Sequence, residues 1–278
     1  MLPAIAASSN GRLLSLASRD AGRARVMAEQ HGVERCVETY DAVLEDPAVE
    51  AVYIPLVNSL HREWTLRALR AGKHVLCEKP LALNAAEAEE MAAAAEAAGR
   101  LLMEALMYRF HPRMRELAES VTAARHVHAV FGFSLDAPGN YRLDPQLGGG
   151  ALLDVGSYTV SAARWLLGEP REVHAVARRG PSGVDTTVSA LLGFAGGAQA
   201  TLLASFETPE VQELVVVTGD RVVRLEQPFT AWRDPADPYQ LMVEAFAAAA
   251  LDGGPAPLPA ADSIANLRVL DRIAELIR

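Results

Sequence analysis

The feature of the sequence that most constrains the fold is the alternation of short apolar runs and helical patterns over its first 110 residues. The apolar runs, which are typical of buried strands, cover residues 12–17, 51–55, 74–77 and 101–105. Helical patterns between them cover residues 20–31, 60–71 and 84–98, and each is followed by a glycine. Asp20 and Asn84 are the predicted helix caps. Such an alternation predicts a parallel sheet with helices on both faces.

After about Pro112 the pattern changes to longer strand-like runs. They cover residues 126–134, 173–178, 186–194, 198–206, 214–218 and 222–225. The short link at residues 195–197 (Ala-Gly-Gly) is typical of a hairpin, and helices are predicted over 154–167 and from 262 to the C-terminus. We predict an α/β Rossmann-like domain over residues 1–112 and an α+β domain with a largely antiparallel sheet over residues 113–278. The sequence leaves open whether the last helix packs back on the first domain.

Charge and composition exclude several classes of protein. The net charge of −9 argues against a nucleic-acid-binding surface. No apolar run approaches the ~18 residues of a membrane span, and the N-terminus lacks the features of a signal peptide, so we expect a cytoplasmic protein without membrane association. The two cysteines, Cys36 and Cys77, indicate no disulfide framework, and no Cys/His cluster has the spacing of a metal site.

Lysine is rare in this chain, since of its 26 basic residues only Lys73 and Lys79 are lysines. An ammonium can act as an acid or base, whereas a guanidinium cannot. Lys73, which follows a glycine, is interpreted as a solvated surface charge. Lys79 lies in the Cys-Glu-Lys-Pro segment 77–80, at the C-terminal end of a predicted parallel strand, where open α/β sheets bind ligands. Pro80 biases Lys79 toward an extended backbone that projects into this crevice; the alternative is an ordinary charged loop.

A second cluster is the glycine run 148–150 with Asp154 and Tyr158. Three glycines allow a ligand to approach the backbone closely. Asp154 is the predicted cap of the next helix, and Tyr158, four residues on, lies on the same helical face. A carboxylate and a phenol are then presented together at a glycine-lined helix start. The alternative is a plain N-cap followed by a half-buried tyrosine.

Short motifs in a fixed order extend these two clusters over nearly the whole chain. They are residues 17–20 (Ala-Ser-Arg-Asp), 58–61 (Asn-Ser-Leu-His), 78–80 (Glu-Lys-Pro), 107–112 (Met-Tyr-Arg-Phe-His-Pro), 141–144 (Tyr-Arg-Leu-Asp) and the glycine block 148–158. With them the chain resembles the glucose-fructose oxidoreductase/inositol dehydrogenase/rhizopine-catabolism (Gfo/Idh/MocA) family of NAD(P) oxidoreductases. It is most similar to the branch with glucose-fructose oxidoreductase, dihydrodiol dehydrogenases and sugar ketoreductases, because other branches have His at the position of Tyr158.

The resemblance implies roles for individual residues. Lys79 is expected beside the nicotinamide and the substrate oxygen, Tyr158 as the proton donor or acceptor, and Asp154 as the group that orients the substrate or tunes this pair. Hydride delivery to a carbonyl builds negative charge on its oxygen, which an ammonium stabilises and an acid neutralises. Lys79 is also expected to lower the pKa of Tyr158. Contacts to the dinucleotide or substrate are implied for Leu56, Asn58, His61, Glu78, Pro80, Arg109, Tyr141, Arg142 and Tyr239.

The residues that end the first predicted strand indicate which cofactor is bound. Rossmann domains that use NAD usually carry a carboxylate there, which binds the ribose 2′-hydroxyl. This chain has Ser18 and Arg19, whose hydroxyl and guanidinium suit a 2′-phosphate, so NADP is preferred over NAD. Asp20 argues for NAD, unless it serves only to cap the following helix.

One expected element is missing. No G-x-G-x-x-G motif occurs, and Met1 falls where the middle of the helix after that motif belongs. The missing strand is the central one of its sheet, so we expect a split sheet with two unpaired inner edges. Three explanations stay open: a misassigned start, a decayed gene, or a neighbouring chain or other segment that fills the gap. The stretch between Trp232 and Tyr239 is also short for the family.

Two hypotheses from different functional classes follow. The first is an NADP-dependent oxidoreductase that transfers hydride between nicotinamide and a carbonyl or hydroxyl carbon of a sugar, polyol or dihydrodiol. The second is a non-catalytic NADP-sensing or regulatory family member, or an inactive truncated remnant. The expected partners are a small sugar-like or diol substrate and a second copy of the chain, in a homodimer or higher homo-oligomer formed through the sheet of the second domain.

Overall fold

The computed structural model describes residues 1–230 and 233–278. The first half contains α1 (Leu2–Ala7), β1 (Ser15–Ala17), α2 (Ala21–His31), β2 (Arg35–Val37), α3 (Tyr40–Glu45), β3 (Ala51–Ile54), α4 (His61–Arg70), β4 (His74–Cys77), α5 (Ala85–Ala98) and β5 (Leu102–Glu104). The second half contains α6 (Pro112–Ser120), β6 (His126–Ser134), α7 (Ser157–Leu167), β7 (Glu172–Arg179), β8 (Asp185–Gly193), β9 (Gln199–Ser205), β10 (Glu207–Val217), β11 (Val222–Glu226), α8 (Pro238–Asp252) and α9 (Ala260–Leu276).

The parallel strands of the first half form two separate sheets. β1 pairs with β2 in a two-stranded sheet, and β3, β4 and β5 form a three-stranded sheet in that order. Within residues 1–230 and 233–278, no strand joins β1 to β3. The split expected from the missing central strand is therefore confirmed, and β1 and β3 each leave one edge unpaired.

Helix ends in the first half are set by side-chain caps and glycines. Asp20 accepts a hydrogen bond from Arg23 N at the start of α2, and Asn84 accepts one from Glu87 N at the start of α5, both at 2.9 Å. Gly99 ends α5 with a φ of 60°, a left-handed conformation that favours glycine. Both predicted caps are confirmed, and Asn84 and Gly99 fix the two ends of α5, the helix that follows the Lys79 loop.

The second half is built on a six-stranded sheet in the order β11-β10-β6-β9-β8-β7. Only the β6–β9 pair is parallel, so the predicted antiparallel character is confirmed, as is the hairpin link at residues 195–197. One face of this sheet packs against α7 and α9. The other face is open, with Val176 on β7 71% exposed and Leu191 on β8 40% exposed.

The last helix, α9, packs against both halves of the chain. Toward the first half, Asp271 accepts a hydrogen bond from Ala85 N (2.9 Å) at the start of α5. Toward the second half, Asn266 donates to Ser157 O (3.0 Å) at the start of α7. Helix α7 is thereby held next to the Lys79 loop, which brings the two clusters singled out in the sequence together.

Lys73 is not the solvated surface charge that its position after a glycine predicts. It is 6% exposed, and its ammonium donates to Asp46 O and Val49 O, both at 2.7 Å. The turn after α4 places Lys73 against the loop before β3, where its ammonium is the hydrogen-bond donor to two backbone carbonyls. One of the two lysines is therefore structural.

Helix α1 lies where the helix after the absent glycine motif was expected, whereas β2, α3, α6 and α8 have no counterpart in the sequence prediction. Most are short, and α8 is an alanine-rich helix whose apolar residues do not follow a clear helical period. Trp232, one end of the stretch that is short for the family, lies outside the described residues. Within the described part of the chain, no helix is long and apolar enough to cross a membrane, and no group of three or more potential metal ligands occurs. The cytoplasmic location stays a prediction.

Candidate active site

Lys79 lies at the carboxyl end of β4, in the loop that leads to α5. Strand β4 ends at Cys77, and Glu78 N donates to Ile54 O (3.1 Å), which extends the pairing with β3 by one residue. Because neighbouring parallel strands end at the same edge of the sheet, this loop lies where open α/β sheets bind ligands. The Lys79 side chain is 14% exposed, and the Lys79–Pro80 peptide bond is cis.

Asp154 is ionised and pairs with one cation from each half of the chain, Lys79 and Arg142. Lys79 Nζ donates to Asp154 Oδ1 (2.7 Å) and to Asp154 O (2.8 Å). Arg142 Nε donates to Asp154 Oδ2 (2.7 Å). Burial alone would raise the pKa of Asp154, but the charges of Lys79 and Arg142 outweigh burial and hold it below its usual value.

Asp154 does not cap a helix, which corrects the sequence prediction. Residues Leu152–Gly156 form a π-helical turn that runs directly into α7, and no side chain caps either start. The chain therefore reaches α7 through one wide turn, a feature that occurs often at functional sites. The Asp154 carboxylate is bonded to Lys79 and Arg142 instead of to the backbone of its own helix.

Tyr158 follows one turn later on α7 and meets Lys79. The Lys79 ammonium nitrogen lies 5.2 Å from the centre of the Tyr158 ring. Tyr158 is 7% exposed, and three further rings surround it, with centres 5.8, 5.5 and 5.6 Å away: Tyr108, Phe131 and Phe229. The three residues predicted to be catalytic are thus in one cluster. The packing of these three aromatic rings around Tyr158 was not identified from the sequence.

The pKa of Tyr158 moves in the direction opposite to the one expected. Burial, followed by the negative charge of Glu78, raises it well above its usual value. The ammonium of Lys79 does not reverse this shift, because it is already paired with Asp154 and the phenolate would have to form without water. The phenol is therefore protonated near neutral pH.

Glu78, beside Lys79, interacts with two further tyrosines, Tyr53 by a hydrogen bond and Tyr239 through its charge. The Tyr53 hydroxyl donates a hydrogen bond to Glu78 Oε1. Burial, followed by the charges of Glu78 and Asp237, raises the pKa of Tyr239 to about 12. Tyr239 was implied by the resemblance, but Tyr53 was missed; a hydroxyl-bearing ring in the otherwise aliphatic strand β3 was the signal for it.

The three glycines pack against protein, which corrects the expectation that they open the backbone to a ligand. A Cβ on Gly149 would lie 2.5 Å from Arg142 O, and one on Gly148 would lie 2.8 Å from Asn58 Cβ. Gly148 also has a φ of 77°, and its carbonyl accepts a hydrogen bond from Asn58 Nδ2 (2.8 Å). The glycine run therefore docks the loop that carries Arg142 on the first half of the chain.

The family of the chain follows from its matches over both halves. Residues 1–106 match the family described as "Oxidoreductase family, NAD-binding Rossmann fold", and residues 114–222 match the GFO/IDH/MocA C-terminal domain. The chain belongs to the GFO/IDH/MocA family. The resemblance noted in the sequence is thereby confirmed.

Relatives in the GFO/IDH/MocA family cover most of the chain. D-xylose 1-dehydrogenase (NADP(+)) 2 from Haloferax volcanii is 39% identical over 99% of this chain and 92% of its own length. Trans-1,2-dihydrobenzene-1,2-diol dehydrogenase from Sus scrofa is 37% identical over 77% of this chain and 65% of its own length. A 3-ketoreductase from Actinomadura kijaniata, solved with NADP and TDP-benzene, superposes with a TM-score of 0.88 at 32% identity and covers 100% of this chain and 93% of that one.

Several residues that the GFO/IDH/MocA resemblance assigned to ligand contacts are bonded to protein. The Arg109 guanidinium lies 4.0 Å from the centre of the Trp165 ring and 3.5 Å from Asp262 Oδ2. His61 is fully buried, with its ring nitrogens against two backbone carbonyls, those of Pro80 and Leu56. This placement favours a supporting role for Arg109 and His61 over direct contact with a ligand.

Other assigned residues stay accessible. Tyr141 and Arg142 are partly exposed beside Asp154, with the Arg142 guanidinium 4.7 Å from the centre of the Tyr141 ring. Ser18 and Arg19 directly follow β1. Arg19 is exposed and takes part in no ion pair within residues 1–230 and 233–278, so its charge is available to an anion. Asp20 uses one carboxylate oxygen to cap α2.

Proposed function

We propose that this chain is an NADP-dependent oxidoreductase that moves a hydride between nicotinamide and a hydroxyl-bearing carbon of a sugar, polyol or dihydrodiol. The observation that carries the proposal is the Lys79–Asp154–Tyr158 cluster at the carboxyl end of β4, with Lys79 Nζ 5.2 Å from the Tyr158 ring centre. The names of the relatives support the substrate class, since they act on D-xylose and on a dihydrobenzene diol.

The residues present fit NADP at its two ends. Ser18 and Arg19 suit the 2′-phosphate, and the capping bond of Asp20 removes the main argument for NAD. At the other end, Glu78 and Lys79 would hold the nicotinamide. The 278 residues contain no glycine turn for the pyrophosphate. When bound, the cofactor supplies or takes up the hydride.

Lys79 stabilises the negative charge that develops on the substrate oxygen. An ammonium has three N–H groups, and two of those on Lys79 are donated to Asp154 O and Oδ1. Among the described residues the third is not engaged, so it is free to meet the substrate oxygen. Because Asp154 fixes the ammonium before the substrate arrives, little reorganisation is needed at the moment of charge development.

Tyr158 moves the proton. Its raised pKa keeps the hydroxyl protonated near neutral pH, which suits the donor in the direction of carbonyl reduction. In the direction of oxidation the same hydroxyl must first lose its proton, which burial opposes. Near pH 7 the enzyme is therefore in the protonation state that carbonyl reduction requires.

A second candidate function is a non-catalytic NADP-sensing protein. The observation that favours it is the split between the two-stranded and three-stranded sheets, which leaves the middle of the dinucleotide without a strand beneath it. The catalytic cluster would then be present without a cofactor held firmly enough for turnover. Turnover measurements separate the two candidates.

The test is NADPH oxidation by the purified chain with a panel of ketosugars and diketones, compared with Lys79→Ala. Hydride transfer predicts turnover with at least one member and a loss of about 10²-fold or more in the variant, because the developing charge loses its partner. Arg224→Ala, at an exposed position on β11, is the control for charge removal. NADPH binding without turnover on any substrate would support the sensing function, and absence of NADPH binding would contradict both.

We further propose that the chain forms a homodimer through the open face of its six-stranded sheet. Val176 and Leu191 lie exposed on that face, and large apolar side chains that stay exposed often mark contact surfaces. Sedimentation equilibrium is expected to give a dimer for the natural chain and a monomer for Val176→Asp. A monomeric natural chain would contradict the proposal.

A further inference from the structure

A buried carboxylate, Glu104, lies behind the loop that carries Lys79 and has no part in the chemistry above. Glu104 ends β5, directly opposite Cys77 on β4, and is 1% exposed. Its Oε1 accepts a hydrogen bond from Leu81 N (2.9 Å). The Ser263 hydroxyl on α9 also acts on the Glu104 carboxyl, although Oε2 makes no hydrogen bond of good geometry among the described residues. Burial of an ionised carboxylate lowers the free energy of unfolding, so a function is needed to explain its presence.

The peptide group that Glu104 holds is also held by His61, the first residue of α4. His61 Nδ1 lies 2.8 Å from Pro80 O, and Nε2 lies 2.9 Å from Leu56 O. Pro80 O and Leu81 N belong to one trans peptide group, so they point in opposite directions. With the proton on Nδ1, His61 donates to Pro80 O, so two buried titratable side chains, on α4 and β5, fix the plane of the peptide that directly follows Lys79–Pro80.

We propose that His61 and Glu104 are positioning residues for Lys79, that they act by holding the Pro80–Leu81 peptide group from both sides, and that the ionisation of Glu104 makes the position of Lys79 depend on pH. This inference rests on the proposed function, because it takes Lys79 as the group that meets the substrate oxygen. The clamp acts through the backbone, since the hydrogen bonds given for the His61 and Glu104 side chains go to backbone atoms and not to the ammonium.

The environment of Glu104 places its titration in the neutral range. Burial raises its pKa to about 7. The Ser263 hydroxyl on α9 and the hydrogen bond from Leu81 N oppose the shift, while the charges of Asp262 on α9 and Glu78 on the β4 loop add to it. Two other titratable groups act on Glu104, Cys77 on β4 and Tyr158 on α7. Burial raises the pKa of both, so they stay neutral, and burial lowers the pKa of His61. Glu104 is therefore the clamp residue that changes charge near pH 7.

The chain offers a direct probe of Lys79, because Lys79 and Lys73 are its only lysines. Protein labelled with lysine carrying ¹³C at Cε is expected to give two lysine correlations, and Lys79→Arg assigns them. The spectra are recorded between pH 5.5 and 8.5 (about 1.5 units either side of the expected midpoint) without cofactor or substrate. Lys73, bonded to two carbonyls away from the site, is the internal reference.

The clamp predicts that the Lys79 signal moves with a midpoint near 7 in the natural chain while the Lys73 signal stays fixed. In Glu104→Gln, which keeps an acceptor oxygen but cannot ionise, the Lys79 titration is expected to vanish. In Glu104→Leu, which removes the acceptor, the Lys79 signal is expected to shift or broaden at every pH. If Glu104→Leu does not fold, the comparison of the natural chain with Glu104→Gln still decides.

Activity adds a second readout. Misplacing Lys79 is expected to lower kcat about 10- to 10²-fold in Glu104→Leu with KM changed little, and Glu104→Gln is expected to recover most of that loss. A Lys79 signal that is flat with pH in the natural chain, or that titrates equally in Glu104→Gln, would overturn the inference. If Lys79 titrates with Glu104 but Lys79→Ala keeps full activity, the clamp stands and the proposed catalytic function fails.

Discussion

The two parallel sheets of the first half differ in how deeply their strands are buried. In the three-stranded sheet the residues of β5 and the last three of β4 are fully buried beneath α4 and α5. In the two-stranded sheet β1 is only half-buried, and β2 is mostly exposed. The three-stranded sheet carries Lys79 and its supports, whereas the two-stranded sheet carries Ser18 and Arg19. Under the proposed function, the chemistry would take place on the more deeply buried sheet and cofactor selection on the more exposed one.

This difference implies that the two tasks are separable by mutation. Changes around Lys79 are expected to alter kcat, pH dependence or the stability of the whole chain. Changes after β1 are expected to alter the choice between NADPH and NADH with little effect on the chemical step or on folding.

Tyr158→Phe is expected to have the largest effect on activity. Removing the hydroxyl removes the proton donor while the ring keeps its place among Tyr108, Phe131 and Phe229, so kcat is expected to fall about 10²- to 10⁴-fold. NADPH affinity and the urea midpoint are expected to stay close to those of the natural chain. A variant that retains more than about one tenth of kcat would remove Tyr158 from the mechanism.

Asp154→Ala is expected to have the largest effect on stability. The substitution leaves the buried ammonium of Lys79 and the guanidinium of Arg142 without their carboxylate, which costs about 3–5 kcal/mol. Because the folded-state pKa of Asp154 lies below the usual 3.8, its stabilisation is fully present above that pH and is lost as the pH falls further. Urea unfolding at pH 7 measures the loss, and a series at falling pH below 3.8 measures how the difference between the two chains shrinks.

The matched control for Asp154→Ala is Glu34→Ala, in the exposed ion pair with Arg12 next to the two-stranded sheet. Exposed pairs contribute little, so this substitution is expected to leave the urea midpoint nearly unchanged. Equal losses for the two variants would contradict the contrast between the two sheets.

Glu104→Gln is expected to change how stability depends on pH. The folded-state pKa of Glu104, about 7, lies above its usual 4.5, so the unfolded chain ionises first and the natural protein loses stability as the pH rises through this interval. The variant lacks this loss, and its advantage over the natural chain is expected to grow by about 3 kcal/mol between pH 4.5 and pH 8. Urea unfolding at several pH values measures it; a pH-independent difference would mean that Glu104 does not titrate in this range.

Local patterns predicted the fold because they report on burial and on chain direction. The apolar runs gave β3, β4 and β5 within one residue at each end, and Asp20 and Asn84 gave the starts of their helices. The split sheet was anticipated from the family resemblance instead, because the sequence contains neither the glycine motif nor the central strand that the family has before it. Short elements such as β2 and α3 were missed because three to six residues carry too little periodicity.

The sequence alone could not predict which side chains and backbone groups that are distant in sequence would be in contact. It named Asp154 correctly as a neighbour of Lys79 but assigned its oxygens to a helix cap, and it misjudged Lys73 because the carbonyls that bind it lie 24 and 27 residues away. Glu104 carried a readable signal, as a lone carboxylate within the apolar run of residues 101–105. The direction of the Tyr158 pKa shift depended on burial by rings from three other elements, which no local pattern contains.

Arg19→Ala tests the peripheral side of the comparison and is expected to have the smallest effect. Arg19 is exposed beyond β1, and a charge-assisted hydrogen bond to a 2′-phosphate would contribute about 1.4 kcal/mol, or a factor of about ten in affinity. The ratio of NADPH to NADH affinity is therefore expected to fall about tenfold, with the urea midpoint nearly unchanged because the side chain is exposed. Arg25→Ala, an exposed arginine on α2, is the control for net charge and is expected to leave the ratio unchanged. An unchanged ratio in Arg19→Ala would mean that the preference for NADP, if the protein has one, is set on the three-stranded side, and the separation of the two tasks would fail.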